Sequence, residues 1–173
     1  MGTLSMNRFD ELQFNTLRED VFDTKTLTMS ILMTPAMANF RGFVHGGDLL
    51  KLLDQVAYAC ASRYCAKPVV TLSVDRVIFK NPIEIGNLVT FLASVNYTGN
   101  TSMEIGIKVI AEDIHKRVVT HTNSCYFTMV AIDEQGRPVS VPRLVPETPQ
   151  EERRYKKAQK RRERRLEESR EEK

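Results

Sequence analysis

Between residues 26 and 135 only one stretch of this chain carries helical periodicity, and the apolar runs around it alternate as strands do. From about Gly46 to Tyr64, the residues Leu49, Leu53, Val56, Ala57, Cys60 and Tyr64 recur at spacings of three and four, the stripe that an amphipathic helix buries. Small residues gather late in it, at Ala57, Ala59, Cys60 and Ala61, and they let a helix lie close against a sheet. Lys67 and Pro68 then stop it.

Ahead of the helix, Leu27, Met29, Ile31 and Met33 alternate with Thr26, Thr28, Ser30 and Leu32, the period of a half-buried strand. Pro35 limits that strand, and residues 36–44 form a glycine-containing loop. After Pro68 come four β-like runs, over 69–79, 88–97, 103–111 and 118–132. Met103, Ile105, Ile107, Val109 and Ala111 share one face of the third run, and Val119, Cys125, Phe127 and Met129 share one face of the fourth. The links NPIEIG, TGNT and DIHKR are short and turn-like, which predicts an antiparallel meander. One helix on one sheet makes an α+β domain. The sheet's edges and remaining apolar surface predict oligomerisation.

The chain has 173 residues, enough for a single domain with its own core. That domain is expected over 1–147, beginning with a short amphipathic segment in 1–24. The tail, 148–173, differs in kind. From Glu151 to Lys173 it carries 11 basic and 7 acidic residues, leaving the remainder slightly acidic. Its apolar residues are only Tyr155, Ala158 and Leu166, so it is expected as a solvated helix or a disordered segment that buries no core face. Acidic residues interrupt the basic run and no aromatic platforms accompany it, so nucleic acid is not the expected partner. No apolar run approaches the roughly 18 residues of a membrane span. The start shows no secretory pattern, and Met6 breaks the myristoylation pattern. Three cysteines without a CxxC pair point to a cytoplasmic protein with neither a disulfide frame nor a zinc site.

The chemistry-bearing stretch is NFRGFVHGGDLLKLLDQVAYACA, residues 39–61. A helix start presents unpaired N–H groups and the positive end of a dipole, and glycines let a ligand approach them. His45-Gly46-Gly47 therefore suits a carbonyl-polarising or anion-binding site, and it equally suits a plain loop-to-helix junction. Asp54 follows Gly47 by seven residues, about two turns, and so lies on the same side of the helix. It borders Leu50, Ala57 and Ala61. An acid beside apolar groups is costly unless paired; it is a candidate general base or nucleophile, or else bonds a loop or a neighbouring subunit. No metal-ligand spacing and no G-x-S-x-G occurs.

The spacing of Asn39, Gly42, Gly46, Gly47 and Asp54 resembles that of the hotdog-fold acyl-CoA thioesterases, in the branch of the brain-type cytosolic hydrolases and their short bacterial relatives. VDRVIFKNPIEIGNLVTF, VNYTGNTSMEIGIKV and HTNSCYFTMVAID agree with it. The resemblance implies a long helix wrapped by an antiparallel sheet, with two units paired edge to edge. It also implies active sites at the dimer interface and a trimer of dimers. Asp54 matches the carboxylate that activates water or attacks the thioester. Asn39 matches an asparagine supplied by the other subunit, and Gly47, with Gly46, the helix-start donor to the thioester carbonyl. Coenzyme A belongs to the substrate, so no cofactor is implied.

For the CoA phosphates the resemblance points to the turn Asn100-Thr101-Ser102. Asn100 stands there where Arg or Lys is frequent, leaving Thr101 and Ser102 as hydroxyl donors. Arg76, Lys80 and Lys108 are alternative charges, and His45 belongs to the His-Gly-Gly form of the motif. Two other readings stay open: a hotdog hydratase or dehydratase using His45, and a binder of acyl-CoA or a nucleotide that performs no hydrolysis.

Overall fold

The computed structural model describes residues 23–75 and 77–171. The amphipathic start expected over 1–24 falls almost wholly outside them, as does Arg76.

The five strands are β1 (Thr26–Leu32), β2 (Val69–Val74), β3 (Leu88–Thr98), β4 (Ser102–Asp113) and β5 (Val118–Ala131). They form one antiparallel sheet in the order β1-β3-β4-β5-β2. The helix α1 (Gly46–Cys65) lies across one face. Its buried stripe, Leu49, Leu53, Val56, Ala57, Cys60 and Ala61, meets Val89, Phe91, Met103, Ile105, Ile107, Val109, Cys125, Phe127 and Met129. Full burial of each larger apolar side chain stabilises by about 1.5–3 kcal/mol, so this face fixes the fold. Ala66 ends the helix in the left-handed region at φ 52°, its N–H donating to the Ser62 carbonyl. Cys60 and Cys125 are buried in this core, which pushes both thiols up to about 12.

Three expectations change. The four later runs are not one meander. Only β3, β4 and β5 follow each other in space, while β2 pairs with the far side of β5 and forms a sheet edge. The run expected over 69–79 is strand only to Val74; beyond it the chain still follows β5, through Asp75 N–H to the Tyr126 carbonyl and Lys80 N–H to the Thr122 carbonyl. Val119 does not share the buried face and is 63% exposed. A bulge in β5 sets Val109 opposite Asn123 but Ile110 opposite His121, and one extra residue inverts the alternation beyond it.

The tail also differs. It forms α2 (Pro149–Glu171), which packs on the outer face of the sheet, opposite α1. Thr148 starts it, its hydroxyl accepting from Glu151 N–H at 3.2 Å, with Pro149 at the first helical position. Tyr155 lies 5.0 Å from the Tyr97 ring, Ala158 is fully buried, and the Arg161 guanidinium stacks 3.6 Å above the Tyr126 ring. Beneath them Glu104, on β4, is only 2% exposed. It accepts from Arg161 Nη2 at 2.6 Å and Arg165 Nη1 at 3.3 Å, and Arg165 also reaches Asp75 at 2.9 Å. A helix with few apolar residues is thus docked by two guanidiniums on a buried carboxylate. A Cβ at Gly106, two residues from Glu104, would run into the Asn96 side-chain amide, which would have to shift to admit it.

Candidate active site

The loop before α1 is pinned by Asn39. Its Oδ1 accepts from Arg41 N–H at 2.9 Å and Phe43 N–H at 3.2 Å, while Gly42 turns the chain at φ +80°. The Asn39 amide N–H groups have no acceptor among the described residues. His45 caps the helix: its Nδ1 accepts from Gly47 N–H at 2.9 Å. The donor expected from Gly47 is therefore already engaged, whereas Gly46 N–H has no acceptor among the described residues. Gly46 is the more available polarising group. A side chain at Gly47 would crowd His45 Nδ1 at 3.1 Å, so the glycine pair serves the cap as well as access.

Asp54 is exposed in the single subunit rather than buried, and stands on the strip of α1 that also presents Leu50 and Tyr58. Its Oδ1 accepts a 2.6 Å hydrogen bond from Thr71 Oγ1 on β2. Sequence reasoning missed Thr71, whose only local signal is a hydroxyl at one position of an alternating strand. The strand is bare: β2 is a sheet edge, with Val70, Leu72 and Val74 all exposed. Unpaired sheet edges beside exposed apolar surface commonly pair with another chain.

The other expected residues do not converge on Asp54 within one chain. Gly47 precedes it by seven residues on one helix, a separation of about 10 Å along the axis. Asn39 lies further back, beyond the helix start. Asn100, Thr101 and Ser102 form the turn between β3 and β4, and Ser102 pairs with Val130 of β5. Lys80 bonds Thr122, eight residues along the same strand and so about 26 Å away, too far to share a phosphate with that turn. Lys108 is exposed on the outer face opposite Ser124. No group of His, Cys, Asp and Glu able to hold a metal occurs among the described residues.

The model of the thioesterase superfamily matches residues 41–118. An apo hexameric acyl-CoA thioesterase superposes with a TM-score of 0.80 at 33% identity, over 83% of this chain and 92% of that one. This chain belongs to the thioesterase superfamily. Within it, protein VdlD of Helicobacter pylori is 60% identical over 144 residues, covering 83% of this chain and 82% of that protein. The acyl-CoA hydrolase of Staphylococcus aureus, solved with butyryl coenzyme A, coenzyme A and coenzyme A disulfide, has a TM-score of 0.78 at 31% identity, over 85% of this chain and 90% of that one. That enzyme has also been solved with an asparagine, an aspartate and a threonine each changed to alanine, spaced along its chain as Asn39, Asp54 and Thr71 are here. The thioesterase fold expected from the sequence, an antiparallel sheet with one long helix across it, is the one observed. The dehydratase arrangement is not assembled within the subunit. His45 Nδ1 is taken by the cap, and the ring is nine residues, about 13 Å of helix, from Asp54.

Proposed function

We propose that this chain hydrolyses acyl-CoA to a free acid and CoA, in a site built by two subunits. The carrying observation is the Asp54–Thr71 hydrogen bond, set on an exposed strip beside the bare edge of β2. A reacting carbonyl carbon has to stand about 3–3.5 Å from the attacking atom while its oxygen meets a donor. Asp54 and the helix start of the same chain are too far apart for that. The geometry favours Asn39 and Gly46 from one subunit facing Asp54 and Thr71 of the other.

Asp54 then acts as general base on a water, or attacks the carbonyl itself to give an anhydride that water opens. Either way the C–S bond breaks and the CoA thiolate takes a proton; the acyl carbon gains its new oxygen from water directly, or from Asp54, whose carboxylate the water then restores. Gly46 N–H at the positive end of the α1 dipole stabilises the developing oxyanion. Gly47, through its bond to His45, holds the helix start in shape, and the Asn39 amide orients the water or the thioester. Neither metal nor organic cofactor enters these steps. Pairing of β2 edges gives the dimer, and the hexameric relative supports a trimer of dimers. No helix among the described residues is long and apolar enough to cross a membrane. A cytoplasmic location rests on the likeness to the cytosolic acyl coenzyme A thioester hydrolase of Rattus norvegicus, 38% identical over 126 residues.

The test is thiol release from a panel of short to long acyl-CoAs, which also reads the preferred chain length. Thr71→Ala should lower kcat about tenfold by freeing the Asp54 carboxylate to rotate, with KM little changed, and Thr71→Ser should restore most of it. No thiol release from any acyl-CoA would overturn the proposal. Full activity in Thr71→Ala would remove Thr71 from it.

A further inference from the structure

The strand that carries Thr71 is the shortest in the sheet. Within the subunit β2 is six residues long and pairs only with β5. Its register shifts between Thr71 and Ser73: Thr71 stands opposite Met129 and Ser73 opposite Thr128, so Leu72 is one extra residue. A bulge of this kind turns the strand over. Thr71 faces α1, where its hydroxyl meets Asp54 and lies 3.5 Å from Met129 Sδ. Asp75 would share that face in an unbroken strand. Instead its side chain lies on the outer face, under α2.

Both carboxylate oxygens of Asp75 accept from Arg165 Nη1, at 3.1 and 2.9 Å, and the side chain is only 12% exposed. The same Nη1 reaches Glu104 of β4 at 3.3 Å. One guanidinium therefore ties the end of β2 to β4, across the intervening β5. The backbone closes the same joint: Asp75 N–H donates to the Tyr126 carbonyl of β5 at 2.9 Å, and the Tyr126 ring lies under the Arg161 guanidinium. The strand Val69–Val74 carries no charged side chain of its own, so Asp75 is where α2 takes hold of it. On one side of the bulge the strand is braced by α2; on the other it holds Asp54.

We propose that Asp75 is a positioning residue for hydrolysis. Held by Arg165, it fixes the end of β2, and the strand in turn fixes Thr71 against the Asp54 carboxylate. Misplacing a reacting group by about 1 Å can cost on the order of a hundredfold in rate, so a brace on a short edge strand has a kinetic effect. Asp75 touches no reacting atom and acts through Thr71. The C-terminal helix enters catalysis by this route. The inference rests on the acyl-CoA reading of the Asp54–Thr71 pair.

The experiment is a double-mutant cycle in the full chain, read by thiol release from acyl-CoA. Asp75→Ala cuts β2 from the brace but leaves Arg165 on Glu104, so α2 stays docked. It should lower kcat about fivefold with KM little changed, and Asp75→Asn, which keeps an acceptor for Arg165, should recover most of the loss. In a Thr71→Ala background the same Asp75→Ala change should cost less than about twofold, because the contact it positions is already gone. A merely structural Asp75 would lower kcat by the same factor in both backgrounds. That result overturns the proposal, and so does wild-type kcat in Asp75→Ala. Hydrogen exchange of peptides spanning 69–74 reads the brace without catalysis: their amides should exchange faster in Asp75→Ala. Unchanged exchange overturns the brace. Faster exchange in Asp75→Ala, with no thiol release by wild type, would keep the brace and sink the hydrolase reading instead.

Discussion

Asp54→Asn should lower kcat for acyl-CoA hydrolysis by about a hundredfold or more, the least expected on removing a general base or nucleophile. The substitution is nearly isosteric, and the side-chain carbonyl can still accept from Thr71 Oγ1, now 2.6 Å from the carboxylate. What is lost is the basic, nucleophilic oxygen. Asp54 is exposed and on the helix surface, so stability and CoA binding should stay close to wild type. Stopped-turnover measurements of thiol release, with a parallel CoA titration, separate the two effects. A variant that kept wild-type turnover would show Asp54 to be a structural partner of Thr71 and nothing more.

Glu104→Ala should produce the largest loss of stability of any single change on the outer face. Glu104 is the 2%-exposed carboxylate on which Arg161 and Arg165 converge. Removing one member of a buried ion pair costs about 3–5 kcal/mol, because the remaining charges are left uncompensated. Here the two arginines belong to one helix, so the helix can leave with them, and the loss is bounded by what docking α2 is worth. The expected result is a fall in Tm of about 10 °C and rapid tryptic cleavage within 153–165, where basic residues are dense. Glu104→Gln, which keeps hydrogen-bond acceptors, should fall between. Unchanged Tm and unchanged resistance to trypsin would mean that Tyr155 and Ala158 hold α2 without the ion pairs.

These two sites differ in how far the sequence announced them. The helix α1 was legible because its apolar stripe is local, and so were β3, β4 and β5, whose alternation faces that stripe. The place of β2 was not legible. Its pairing with β5 joins residues about sixty apart, and its alternation fits a meander equally well. Asp54 was visible as an acid among apolar neighbours, but Thr71, seventeen residues on, becomes its partner only through that strand order. The docking of α2 was hidden for a chemical reason. Its start carries the Thr148-Pro149-Gln150-Glu151 signal, yet its buried stripe is Tyr155, Ala158, Arg161 and Arg165, in which guanidiniums replace aliphatic groups. Glu104 alternates with apolar residues and so looks like a solvent-facing position of a one-sided sheet. It is buried only because a second layer covers that side.

The claim that most needs testing is that two subunits share each site. The direct measurement is co-expression of Asn39→Ala with Asp54→Ala chains, each nearly inactive alone, followed by thiol-release assay of the mixed assembly. If Asn39 and Asp54 of different chains meet, a mixed dimer carries one site with both native residues and one with neither. Random pairing should then restore about a quarter of wild-type activity. Activity no higher than that of the two parents would contradict the account and place the two residues in the site of a single chain, or Asn39 outside it altogether.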